Sequence, residues 1–153
     1  MNIEENLKNH QIELEDASTP AGNYVPYIIT NKLVFISGQL PFKQGKLPIT
    51  GIVGETVSSE DAIEMAKLCS LALISQLKSA CNGDLNKVSR VVKLGGFVAS
   101  ASSFTSQPTI INGASDIMVK VFGEQGKHSR FAVGVSSLPL NAPVEIEGIF
   151  ELK

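Results

Sequence analysis

The sequence predicts an α+β domain of element order ββαβαββ, with two helices on one face of a mixed sheet. Three observations carry that expectation. Strand-like runs rich in β-branched and aromatic residues occur at 24–40, 88–100, 130–135 and 144–152. Segments 59–82 and 107–122 instead repeat their apolar residues at helical spacing. At 153 residues, 43% of them hydrophobic and 18% charged, the chain has the length of one domain and the composition of a folded one.

Residues 1–20 read as a short polar lead-in ending at Pro20, with a single domain over 21–153. "YVPYIIT" and "LVFISGQLP" then form two strands joined at Asn31-Lys32, where Asn tolerates the positive φ of a hairpin turn. The Gly/Pro-rich stretch 41–58 is expected to be an exposed loop, with room for a short strand. Ser58 and Asp61 resemble a capping box at the start of the first long helix. Ala62, Met65, Ala66, Cys69, Leu73, Leu77 and Ala80 mark its apolar face, and Asn82-Gly83 is its stop signal. In the following strand, Gly95-Gly96 predicts a bulge or a close backbone approach. The second helix carries Pro108 in its first turn and ends at Gly123 and Gly126. "RFAVGV" reads as a buried strand. "VEIEGIFEL" places Val144, Ile146, Gly148, Phe150 and Leu152 on one face, with Glu145, Glu147 and Glu151 on the other.

Two helices on one face leave the other face of the sheet uncovered. Several strands are apolar on both sides, so self-association is the simplest cover. The formal net charge is −2 and the lysines are scattered. No basic stripe of the kind that neutralises phosphates is present, so nucleic-acid binding is not favoured. Cys69 and Cys81 have neither redox-motif nor zinc spacing, and Cys69 falls on the apolar helix face as a small buried hydrophobe. The acidic start "MNIEENLKNH" has no apolar core of a signal peptide, and no run reaches the ~20 apolar residues of a spanning helix. A cytoplasmic setting with no membrane partner is therefore expected. "GQLPFKQGKL" fails as a phosphate-binding loop, and GxGxxG, HExxH and GxSxG are absent. The only histidines are His10, in the lead-in, and His128, read as a solvated loop residue with a general-base role as the alternative.

Arg130 is one of two arginines, and it stands where the "RFAVGV" strand enters the core. A buried cation costs several kcal/mol to desolvate unless it is paired. Either Glu145 or Glu147 neutralises it from a neighbouring strand, or it faces a pocket and holds a ligand carboxylate by two parallel hydrogen bonds. Taken with "GNYV" and "ISGQLP", the string "GKHSRFAVGVSSLPLNAPVEIE" resembles the YjgF/RidA family of reactive-intermediate deaminases. It is most similar to the longer branch labelled endoribonuclease-like.

The resemblance spans Tyr24 to Glu151. It implies a chorismate-mutase-like fold and a homotrimer with a central β-barrel, its sites lying between subunits. It also implies that Arg130 binds the substrate carboxylate and that Glu145 activates water. Tyr24, Ser37 and Asn112 match positions lining the cleft. On the residues alone, Tyr24 equally fits a cover for the sheet edge, and Ser37 a small residue before a tight turn. Ala132 stands where many members carry cysteine. The implied reaction is cofactor-independent hydrolysis of enamine or imine intermediates of small 2-amino acids to 2-keto acids and ammonia, with no metal. Two other functions compete: a non-catalytic trimer that binds small carboxylates, and an endoribonuclease of the translation-inhibitor type.

Overall fold

The computed structural model describes residues 2–153. Its elements are α1 (Ile3–Asn9), β1 (Tyr27–Thr30), β2 (Leu33–Gln39), α2 (Ser59–Ala80), β3 (Val88–Ala99), α3 (Gln107–Phe122), β4 (Ser129–Val135) and β5 (Val144–Leu152). Short 3₁₀ turns precede β3, follow α3 and precede β5. The ββαβαββ order is present, with one helix added in front. No helix among the described residues is long and apolar enough to cross a membrane.

Helix α2 begins where Ser58 Oγ accepts the Asp61 N–H at 3.1 Å. It ends at Ala80, and Asn82 and Gly83 then take left-handed φ of 54° and 87°. Asn31, at φ 52°, turns β1 into β2, so that Thr30 faces Leu33. The sheet order is β1-β2-β5-β3-β4. Only β3 and β4 run parallel, and α3 is the crossover that this pairing requires. Leu94, Val98, Val144, Ile146 and Phe150 are fully buried on the face that α2 and α3 cover. On the opposite face Ile28, Phe35 and Val133 remain 55%, 40% and 42% exposed. That face stays open in a single chain, because α2 and α3 both pack on the other one.

Two local expectations change, and a third, at Gly95-Gly96, resolves to one of its two alternatives. The polar lead-in carries α1, whose Ile3 and Leu7 join the main core cluster. Asn2 Oδ1 caps this helix, and Asn6 Nδ2 donates to Val121 O at 2.9 Å. Strand β4 is an edge strand, half-exposed along most of its length, rather than a buried one. It has only β3 beside it, and its apolar outer residues belong to the open face. Gly95 and Gly96 are sites of close approach: a Cβ on Gly96 would press into Ile111 of α3, and one on Gly95 into Phe131 and Glu147. The register shifts of β3 fall earlier, between Val88 and Arg90 and between Val91 and Lys93.

Because Leu7 is 6% exposed and packs into the shared core, Leu7→Ala should destabilise the whole domain by about 2 kcal/mol or more. Chemical denaturation should show this as a lower midpoint of one cooperative transition.

Candidate functional site

Two groups of candidate residues form, one on each side of the sheet. The first surrounds Glu145. Along β5, residues 144, 146 and 150 point into the core, so Glu145 leaves from the open face beside Phe97. The register of β2 against β5 shifts between Ile36 and Gln39, which brings Gly38 beneath the Glu145 carboxylate. A Cβ on Gly38 would run into that carboxylate. Burial pushes the Glu145 carboxyl above the usual carboxylate range, and the neighbouring Glu147 charge adds to the effect.

The "SGQ" motif builds the surroundings of this carboxylate. Ser37 Oγ donates to Val25 O at 2.9 Å, and the Ser37 N–H donates to Pro26 O at 2.9 Å. Gln39, nearly buried, donates from Nε2 to Ser37 O at 3.0 Å. Ser37 is thus the tie that holds segment 24–26 against β2, which is more than a small residue before a turn. Tyr24 follows from that tie and projects, 54% exposed, into a cleft of about 700 Å³ that Glu145 also lines. The outer wall is the strap 15–21. Gln76 Nε2 of α2 fastens it by donating to Ser18 O at 2.8 Å, and the Gln44 N–H donates to the Glu15 carboxylate at 3.0 and 3.2 Å. Gln76 and the strap escaped the sequence reading, although a glutamine on the core face of α2 is a signal in its own right.

The second group surrounds Arg130. In the parallel ladder Arg130 lies beside Leu94, so its side chain leaves on the α3 side of the sheet, half-buried. Nη1 donates to Ser115 Oγ at 3.0 Å and Nη2 to Pro108 O at 3.2 Å. No carboxylate lies within ion-pair distance of it among the described residues. Pairing with Glu145 or Glu147 does not occur, because those side chains leave from the other face. Asn112 is exposed on α3 between Pro108 and Ser115, at spacings of four and three residues that put the three on one helix face. Ala132, two residues along β4, points the same way as Arg130 and packs partly against the core.

His128 belongs to this second group. Instead of being solvated, it is half-buried, with Nδ1 2.6 Å from Gly126 O and Nε2 3.0 Å from Ser115 Oγ. Burial pushes its pKa down; the Gly126 hydrogen bond opposes that shift and the Arg130 charge adds to it. Cys69 and Cys81 are free and buried. No cluster of metal-ligating side chains occurs among the described residues.

The family model described as "YjgF/chorismate mutase-like, putative endoribonuclease" matches residues 4–151. The chain is 43% identical over 148 residues to Protein TCP17 of Trypanosoma cruzi, covering 96% of this chain and 92% of that one. A crystal structure of a protein of unknown function from Agrobacterium tumefaciens superposes with a TM-score of 0.92 at 47% identity, covering 99% and 92% of the two chains. The structure of a "putative endoribonuclease" from Shewanella oneidensis superposes with a TM-score of 0.95 at 33% identity, covering 99% and 100%.

Gly38→Ala should destabilise the protein by about 1–3 kcal/mol, the usual range for overpacking. Combined with Glu145→Ala the loss should largely vanish, a non-additivity that a double-mutant cycle in denaturant measures. The raised pKa of Glu145 means that the native state keeps this proton to higher pH than the unfolded chain does. Wild-type stability should therefore fall as pH rises from the ordinary carboxylate range through the raised native value. Glu145→Gln should gain on the wild type across that interval and hold a constant lead above it.

Proposed function

The chain belongs to the YjgF/chorismate mutase-like family, and from that membership we propose that it is a cofactor-independent hydrolase of small 2-imino acids, assembled as a trimer with sites between subunits. The observation that carries this reading is the state of Arg130: a half-buried guanidinium with two neutral hydrogen-bond acceptors and no acid partner among the described residues. Such a group has remaining N–H donors and an uncompensated charge to offer a ligand carboxylate. Glu145, whose carboxyl is held above the usual carboxylate range first by burial and then by the Glu147 charge, is a candidate to take a proton from water.

Since the two groups leave opposite faces of the sheet, Arg130 of one copy serves the Glu145 cleft of another. Association through the open face would also cover Ile28, Phe35 and Val133. Free, buried Cys69 and Cys81 fit a reducing, cytoplasmic setting.

In the reaction, Arg130 holds the carboxylate and thereby fixes the C=N carbon near Glu145. Water attacks that carbon, the C=N electron pair moves onto nitrogen, and Glu145 takes the water proton. The resulting carbinolamine receives this proton on nitrogen. The C–N bond then breaks as the hydroxyl oxygen forms the C=O bond, and the hydroxyl proton departs to give ammonium. Iminium and water are thus converted to keto acid and ammonium, with no oxidant or other co-reactant. Tyr24 and Ser37 shape the cleft. Asn112 shares the face of α3 that carries Pro108 and Ser115, and Ala132 supplies backbone and volume without a thiol.

A second reading, a carboxylate-binding trimer without turnover, draws on Ala132: a mechanism that needs a thiol two residues after the arginine has none here. Ribonuclease action is disfavoured by the cleft itself, where Glu15, Asp16 and Glu145 are joined by no lysine or arginine of the same chain.

The test couples the protein to a threonine or serine dehydratase and follows keto-acid formation. Arg130→Ala should lower kcat/KM by about a hundredfold, equivalent to two charged hydrogen bonds. Glu145→Gln should lower kcat by on the order of a hundredfold with little change in KM. Mixing the two inactive variants and reassembling them should restore roughly a quarter of the wild-type activity, since random pairing rebuilds intact sites only across an interface. Binding of 2-oxobutanoate without acceleration of any imine would select the second reading, and absence of both would remove the first two together.

A further inference from the structure

Arg130 depends on two residues that no ligand need touch. Its Nη1 donates to Ser115 Oγ at 3.0 Å, and Ser115 Oγ is also 3.0 Å from His128 Nε2. His128 Nδ1 lies 2.6 Å from Gly126 O, a carbonyl that can only accept, so Nδ1 carries a proton. Burial and the nearby Arg130 charge both disfavour a second proton on the ring, and they outweigh the Gly126 hydrogen bond. Nε2 is then bare and acts as an acceptor. The one hydroxyl proton of Ser115 goes to it, which turns the oxygen lone pairs of Ser115 toward Arg130. Each bond in the series has one possible donor, so the order from Arg130 to Ser115 to His128 to Gly126 is directional.

The far end of the series is rigid. Gly126 is buried, and a Cβ there would run into the backbone carbonyl of Met118 on α3. The 3₁₀ turn after α3 therefore fixes where the imidazole sits, and the imidazole fixes the hydroxyl. Pro108 O, two turns back on α3, holds Nη2 at 3.2 Å and completes a two-point cradle. The guanidinium is held along α3 by neutral groups alone.

We propose that Ser115 and His128 are positioning residues for Arg130: the imidazole Nε2 accepts a hydrogen bond from the hydroxyl, and the hydroxyl oxygen aims the guanidinium at the ligand carboxylate without neutralising it. This rests on the reading of Arg130 as the carboxylate anchor, and it adds two residues outside the ligand's reach. An aspartate or glutamate at position 115 would orient the arginine as firmly, but it would compete with the ligand for the same charge.

The experiment has two readouts on the full-length protein. The first is NMR without ligand at neutral pH. The His128 ring should show a protonated Nδ1 and a bare Nε2, and the Arg130 guanidinium should rotate slowly about its Cζ–Nε bond. Ser115→Ala should free that rotation; alanine is a strong helix former, so α3 should be retained. Ser115→Thr, which keeps the hydroxyl, should preserve slow rotation. The second readout is affinity for 2-oxobutanoate. Ser115→Ala and His128→Phe should each weaken binding by about tenfold, the loss of one hydrogen bond to a charged group. His128→Gln, which can still accept from Ser115, should recover most of it.

An imidazolium or an Nε2-protonated ring in the wild type would overturn the proposal, as would identical guanidinium rotation in wild type and Ser115→Ala. If the wild type binds no 2-oxobutanoate, the anchor reading falls. The rotation data then still decide the positioning claim on their own.

Discussion

The layout of this sheet and of α3 turns on a guanidinium that its own chain orients but does not neutralise. Desolvating a cation is expensive, and the common remedy within a domain is an acid on the next strand. Here the next strand in sequence, β5, carries the acids, but in the sheet β3 lies between it and β4, and Glu145 and Glu147 leave the other face. The sheet order thus denies Arg130 the partner that the spacing in sequence suggested. What makes the arrangement tolerable is the edge position of β4, which leaves the guanidinium half-hydrated, together with two neutral oxygens of α3.

The same topology explains why α3 is where it is. A parallel β3–β4 pair needs a crossover, and that crossover lays α3 across the face from which Arg130 emerges. Gly96 lets the helix approach, since any side chain there would meet Ile111. Close packing of α3 is therefore also the cradle of the arginine. On the opposite face, Gly38 plays the matching part for Glu145 by leaving room for a carboxylate against β2. At each of the two charged groups a glycine admits a close neighbour, and the two groups leave opposite faces of the sheet.

How much of this was legible in the sequence depended on how local the cause was. Helices α2 and α3 were visible because many apolar residues repeat on one face and the stop signals, Asn82-Gly83 and Gly123, are backbone requirements. Helix α1 was hidden because it presents only Ile3 and Leu7 to the core, too few for a period to emerge from a polar background. The burial of β4 was overestimated for a related reason. Phe131 and Val133 are apolar because they face the open side, and alternation alone cannot tell an open apolar face from a covered one. His128 looked solvated since its neighbours Gly126, Lys127 and Ser129 are loop-like, yet its burial comes from α3, more than ten residues away in sequence. The candidate site itself was legible only through resemblance. Nothing in the spacing of Arg130 and Glu145 distinguishes an internal ion pair from two half-sites.

That last ambiguity bears on how such a site can exist in a domain that must also fold alone. A charged pair within one chain is satisfied on folding and has little left for a ligand. Splitting the pair between faces leaves each member under-compensated: Glu145 responds by holding its proton more tightly, and Arg130 by leaning on neutral dipoles. Both responses keep the single chain stable at some cost, and both are reversed in kind when an opposite charge arrives. An anion beside Arg130 would supply the missing charge, and a cation beside Glu145 would favour the ionised carboxylate. The two groups therefore call for opposite partners, an anion at Arg130 and a cation at Glu145, and the order of the sheet keeps them from serving each other.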